Sequence, residues 1–208
     1  MALEIIDHPL LRHKLNLVRD KHTPSERLRS LLEEITLMAM PFILSELPLK
    51  TERVETPMGV GSFEFVEEDR FVFVCILRAG LPMLSGALRA LPKARAGFLA
   101  IKRDEHTLTP EIFYRRLPPL ENRHVVVLDP MLATGGTLDL ALKETKSMKP
   151  KRLLVFNLVA SPQGLQRVMS AHPEVDFFLL SLDEGLSPAG YIVPGVGDIG
   201  DRLFTEGL

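Results

Sequence analysis

A single cysteine, Cys75, among 208 residues leaves no partner for an intrachain disulfide, so no covalent framework holds this fold together. It lies inside an apolar stretch, where a thiol is expected to serve as a small buried hydrophobe rather than a nucleophile. Asparagine is almost as scarce, at positions 16, 122 and 157 only, against 16 prolines. Few amides and stiffened loops fit the composition of a thermophilic source. Excess charge is missing too. The net charge is -2 with no Lys/Arg-rich stripe, which argues against nucleic acid or an anionic membrane as a partner; any anion must be held locally. The longest apolar run, Phe71 to Leu77, is far short of the roughly 20 residues that span a bilayer. The N-terminus also lacks a cationic segment followed by an apolar one, so the expected location is the cytoplasm. Internal repeats, low-complexity tracts and long linkers are absent as well.

What is present is a globular composition, 46% hydrophobic and 25% charged, enough to bury one substantial core. Asp7-His8-Pro9 offers a capping residue and an early proline, and Leu10, Leu11, Leu15 and Val18 continue as a short amphipathic helix. Thr23-Pro24-Ser25-Glu26 matches a capping box with proline at the first helical position, and Leu28, Leu31, Leu32, Ile35 and Met38 extend the stripe. Pro41 should kink or end that helix. Val54 to Val66, alternating on either side of Pro57-Met58-Gly59-Val60-Gly61, predicts a hairpin at the sheet margin.

From Phe71 the pattern changes. Apolar runs at 71–77, 96–101, 125–128, 153–159 and 177–182 alternate with helical periodicity at 81–91, 136–148 and 162–171. Such alternation predicts an α/β fold: a mainly parallel sheet flanked by helices, with ligands beyond the carboxyl ends of the strands. One domain over 1–208 is expected. It divides into N-terminal helices and a hairpin arm (1–66), an α/β core (67–182) and a C-terminal hood (183–208) that is rich in Gly and Pro.

The densest motif is Val125-Val126-Val127-Leu128-Asp129-Pro130-Met131-Leu132-Ala133-Thr134-Gly135-Gly136-Thr137. A buried strand feeds a helix whose first N–H groups have no intrahelical acceptor, and two glycines let a ligand reach the main chain. That is a phosphate cradle. A Walker A loop would need a lysine before its last hydroxyl residue, and a dinucleotide fingerprint would need G-x-G-x-x-G; neither fits. Asp129 would repel the phosphate itself, so it is better placed to face the hydroxyls or the developing positive charge of an attached sugar.

Arg78, in Ile76-Leu77-Arg78-Ala79-Gly80-Leu81, puts a planar two-pronged cation at a strand end, suited to two phosphoryl oxygens at once. Arg103, in Ile101-Lys102-Arg103-Asp104-Glu105-His106-Thr107, is a second clamp candidate. Residues 104–116 are expected to form a flexible hairpin loop able to close over a reacting centre. Tyr191 to Arg202 carries three glycines and a proline that expose main-chain N–H and C=O groups in a rigid turn. Taken singly, the T-G-G-T turn is equally compatible with a purely structural turn, while an isolated Arg78 reads better as a surface ion pair and the 101–107 run as a solvated charged loop.

Together they resemble the uracil phosphoribosyltransferases, within the type I phosphoribosyltransferase family, from His8-Pro9-Leu10 and His13-Lys14-Leu15 through the Arg78, Arg103, Asp129 and Tyr191 segments. The usual phosphoribosyl pyrophosphate (PRPP) loop of type I members has two acidic residues; here the second is Pro130, as in the uracil-specific variant. The resemblance implies conversion of uracil and PRPP to UMP and pyrophosphate. It implies that Arg78, Arg103, the loop Asp129, Pro130, Met131, Leu132, Ala133, Thr134, Gly135, Gly136 and Thr137, and Asp198 bind PRPP. Asp129, Arg103 and Arg78 would act in catalysis, while Ile192, Gly197, Asp198 and Ile199 surround uracil. Uracil's two carbonyls around one N–H can be read by fixed backbone groups, which would reject the amino group of cytosine. Mg²⁺ would arrive mainly on PRPP rather than on direct protein ligands, GTP would activate some members, and a homodimer or higher homo-oligomer is implied. The rival expectation is a PRPP- or UMP-sensing regulator that binds RNA on the same fold, which the lack of a basic stripe disfavours.

Overall fold

The computed structural model describes residues 2–103 and 110–205. Its centre is β4 (Phe71–Leu77), where every residue but Leu77 is buried. A strand that is apolar at every position must be covered on both faces, and its side chains divide accordingly. Phe71, Phe73 and Cys75 join one core together with α1 (Pro9–Arg19), α2 (Ser25–Ile43) and α3 (Leu81–Ala90). Val72, Val74 and Ile76 join the other, beneath α4 (Gly136–Ser147) and α5 (Pro162–Ala171). The two-residue period of the strand thus builds two hydrophobic layers from one sequence run.

Around β4 run β5 (Arg95–Arg103) on one side and β7 (His124–Leu128), β9 (Arg152–Ala160) and β10 (Asp176–Leu182) on the other, all parallel. β1 (Leu3–Ile5) pairs parallel with β10 at one edge, and β6 (Pro110–Arg116) pairs antiparallel with β5 at the other. The order is β1-β10-β9-β7-β4-β5-β6. After β4 the chain moves outward to β5 and β6, then returns to the far side of β4 as β7. The strand order therefore reverses between β4 and β7, which opens a crevice beyond their carboxyl ends.

Several local expectations are corrected. His8, not Asp7, caps α1, its ring Nδ1 accepting from the Leu10 amide at 3.2 Å. Pro24 rather than Thr23 precedes α2 and there is no side-chain cap; the Thr23 hydroxyl is spent on the Leu17 carbonyl. Pro41 falls in the last turn of α2, which runs on to Ile43. The hairpin, β2 (Leu49–Thr56) with β3 (Gly59–Val66), starts earlier than its alternation shows and is a separate two-stranded sheet, not a margin of the main one. Residues 110–116, expected within a loop, form β6; the rest of that loop, 104–109, lies outside the described residues. In the C-terminal segment, β11 (Gly185–Leu186) pairs with β12 (Ile192–Val193), and α6 (Ile199–Phe204) follows.

Candidate active site

Asp129 ends β7 at the mouth of the crevice, 8% exposed. Its amide bonds to the Phe156 carbonyl and its own carbonyl accepts from Asn157 Nδ2 at 2.6 Å, which pins the chain to β9 as it leaves the strand. The carboxylate has much less. Among the described residues only the Met131 amide approaches it, at 3.5 Å, and burial pushes its pKa up to about 7. Among the described residues no cation forms an ion pair with it, so its charge is largely uncompensated.

Pro130 to Ala133 do not form a slack loop. Met131 and Leu132 make a short strand, β8, against Val159 and Ala160 of β9, and the Pro130 carbonyl accepts from the Leu158 and Val159 amides. Ser161 completes the brace: its hydroxyl donates to the Ala133 carbonyl at 2.6 Å and accepts from the Gly164 amide at 2.9 Å, capping α5 in the same stroke. A Cβ at Gly164 would stand 2.0 Å from the Ala133 carbonyl oxygen. The backbone of α5 can therefore approach this loop only because that residue is glycine. Leu132 is 1% exposed and belongs to the core, so only its main chain can meet a ligand.

Gly135, at φ 80°, then turns the chain into α4. The first intrahelical bond runs from the Asp139 amide to the Gly135 carbonyl at 2.8 Å, which leaves the amides of Gly136, Thr137 and Leu138 for an anion, with the helix dipole behind them.

Arg78 ends β4 next door. Its two loops abut closely: a Cβ at Gly80 would lie 2.7 Å from the Leu128 carbonyl oxygen. The exposed guanidinium is paired with Asp201 of α6 at 2.8 Å. An exposed pair is worth roughly 0–1 kcal/mol, so a pyrophosphate could displace it at little cost. The same pair ties β4 to the hood, and the space above Gly190 ends at Thr134, 3.8 Å from where a Cβ would sit. The structure thus brings Arg78, Asp129–Thr137 and the 190–201 segment to one end of the sheet. The side chain of Arg103, together with His106 and Thr107, lies outside the described residues.

Of the four residues expected around the base, Ile192 and Ile199 are buried in the core, while Gly197 and Asp198 are exposed. Asp198 caps α6, accepting from the Asp201 amide at 3.1 Å. Gly197 and Asp198 line a cleft of about 850 Å³ with Arg19, Lys21, His22 and Arg202, a cleft that no residue of 129–137 lines. The 190–201 segment therefore faces two ways, toward the crevice through the Arg78–Asp201 pair and toward this cleft. Sequence reasoning missed Asn157, Ser161 and Gly164. The signal for the first was legible: one amide in an otherwise apolar strand.

A family model described as uracil phosphoribosyltransferase matches residues 5–205. The chain belongs to the uracil phosphoribosyltransferase family. Curated members of that name are 46% identical over 96% of both chains in Aquifex aeolicus and 42% identical over 97% of both in Shouchella clausii. A solved structure of an Aquifex aeolicus protein superposes with a TM-score of 0.93 at 45% identity, covering 97% of each chain. The α/β architecture with a mainly parallel sheet is thus the architecture of this uracil phosphoribosyltransferase family member, with β1 at one edge of the sheet.

Proposed function

We propose that the protein transfers the phosphoribosyl group of PRPP to uracil, releasing pyrophosphate and forming UMP for pyrimidine salvage. The observation that carries this reading is the meeting, at one switch point, of a helix N-terminus open to phosphate, a carboxylate buried with no ion-pair partner among the described residues, and a glycine-rich turn. Each answers one part of the substrate pair. The amides of 136–138 take the 5′-phosphate, and Asp129 faces the ribose. The main-chain groups of 192–199 read the base.

The reaction forms the bond from uracil N1 to the anomeric carbon and breaks that carbon's bond to the pyrophosphate oxygen. The N1 proton leaves to solvent or the departing pyrophosphate. Positive charge develops on the ribose, so an ionised Asp129 nearby stabilises it, while Arg78 and Arg103 steady the leaving charge. Mg²⁺ fits as an ion carried in on PRPP, since the second acidic position of the loop is Pro130, which offers no side-chain ligand. Asp129 and Asp198 would meet its water shell, and when bound the ion neutralises pyrophosphate charge.

Exposed apolar side chains on the hairpin, Met58, Val60, Phe63 and Phe65 among them, support a homodimer or higher oligomer. No helix of the described residues is long and apolar enough to cross a membrane, and a cytoplasmic enzyme suits the balanced charge. The regulator alternative draws no support from the curated relatives, which are named for the transferase.

The test is base competition with PRPP and Mg²⁺ supplied. Uracil should give UMP and pyrophosphate in equal amounts, with cytosine neither consumed nor strongly inhibitory. Turnover of another base with none of uracil would overturn the proposal.

A further inference from the structure

Gly195 sits inside the base-reading turn and is held on both of its peptide groups by side chains that touch neither the phosphate cradle nor Arg78. Its amide donates to Asp183 Oδ2 at 2.9 Å, and its carbonyl accepts from Arg19 Nη1 at 2.7 Å. The two holders grip each other as well. Arg19 forks onto both Asp183 oxygens, at 2.6 and 2.7 Å, and Ser181 donates to Asp183 Oδ1 at 2.6 Å. Asp183 thus accepts four bonds, which fills a carboxylate's capacity, and its side chain is only 2% exposed. Burial alone would push that carboxyl up; the bonds from Arg19, Ser181 and Gly195 outweigh it and hold it below the usual carboxylate range.

The position of Gly195 matters because the turn folds back there. Its φ is 63°, and a Cβ on it would lie 2.1 Å from the Ile192 carbonyl oxygen. Fixing Gly195 therefore fixes Ile192 behind it and Gly197 ahead of it, the two ends of the proposed uracil reader. Arg202 reinforces the arrangement from the other side, donating to the Val196 carbonyl and to the Val18 and Asp20 carbonyls at the end of α1. The end of α1 thus serves as a fixed anchor for the turn.

We infer that Arg19 and Asp183 form a positioning pair that sets the backbone groups of residues 192–197 for uracil, so that an element outside the sheet governs base affinity and selectivity. The inference rests on the reading that this turn binds the base. A recogniser made of main-chain groups has no side-chain freedom with which to correct a misplaced peptide, so a shift of the order of 1 Å is expressed directly in binding.

The test compares steady-state kinetics of Arg19→Lys, Asp183→Asn and Ser181→Ala with those of the wild type. Lysine keeps the charge on Asp183 but cannot fork, so it gives up the Gly195 carbonyl. Arg19→Lys and Asp183→Asn should each raise the uracil KM about tenfold or more and weaken discrimination against cytosine, with the PRPP KM within about twofold. Ser181→Ala leaves both bonds to Gly195 and should shift the uracil KM by less than about twofold. If Asp183→Asn fails to fold, Arg19→Lys carries the comparison, since it leaves the buried carboxylate paired. A uracil KM unchanged in Arg19→Lys, or uracil and PRPP KM values rising together, would overturn the inference. Gly197→Ala separates the two levels of failure: a raised uracil KM there with none in Arg19→Lys sinks the positioning pair alone. No effect in either variant sinks the base-binding turn as well.

Discussion

Asp129 is a buried carboxyl group whose proposed role depends on its charge. Burial raises its pKa from the ordinary 3.8 to about 7, so folding disfavours the ionised form that the proposed reaction uses. The sign of the pH effect follows. Between about pH 4 and 7 the folded state holds a proton that the unfolded chain has lost, so stability falls as pH rises through this window and levels off above it. Asp129→Asn removes that cost. It should be more stable than wild type at pH 8 by on the order of 4 kcal/mol, with the pH-dependent part of the gain gone below about pH 4. Activity should move the opposite way. Wild-type kcat/KM is expected to rise through about pH 7 as Asp129 ionises, and the variant should show a low, flat profile in that range. Thermal melts across pH and a pH-rate profile check both halves. A variant as active as wild type, or a wild-type profile without that limb, would remove the electrostatic role.

At the scale of elements, the glycines at positions 136 and 164 make opposite predictions. A Cβ at Gly136 would meet nothing closer than Pro110 Cγ at 3.6 Å, whereas one at Gly164 would strike the Ala133 carbonyl oxygen. Gly136→Ala should therefore melt at or above the wild-type temperature, since alanine favours a helix by about 1 kcal/mol over glycine, yet bind PRPP more weakly because the methyl crowds the phosphate. Gly164→Ala should lose stability by about 2 kcal/mol or more and weaken PRPP binding through the displaced loop. Calorimetric melts and PRPP titrations distinguish them; weakened PRPP binding in neither would contradict the cradle. The β7-to-α4 turn was legible in sequence because a continuous apolar run and a helical stripe met at T-G-G-T. Its bracing was not. β8 is two residues long, and its pairing with β9 depends on Ser161 and Gly164, some thirty positions away in the chain. β1 escaped for a related reason: its three residues are all exposed, so no buried alternation marks them.

For the whole molecule, composition and alternation showed an α/β sheet, but not the order of its strands. That order depends on which side of β4 the chain returns to after β6, a choice made by packing across two cores rather than by any local pattern. The hairpin raises the opposite question, since Met58, Val60, Phe63 and Phe65 stay exposed while Val66 alone of β3's large apolar side chains packs against the core. Phe63 and Phe65 are 46% and 41% exposed and lie two apart on one strand, on the same face. Replacing both with glutamate should shift the protein toward monomer in sedimentation measurements while leaving the fold of the sheet intact; an unchanged mass would place the interface elsewhere.

The proposed function requires the N-terminus of α4 and the turn before α6 to hold opposite ends of one nucleotide. A crystal structure with UMP tests it most directly. The account predicts the phosphate on the amides of residues 136–138, the ribose beside Asp129 and the pyrimidine against the main chain of 192–199. A nucleotide bound with its phosphate in the cleft beside Lys21 and His22, and the cradle empty, would contradict it.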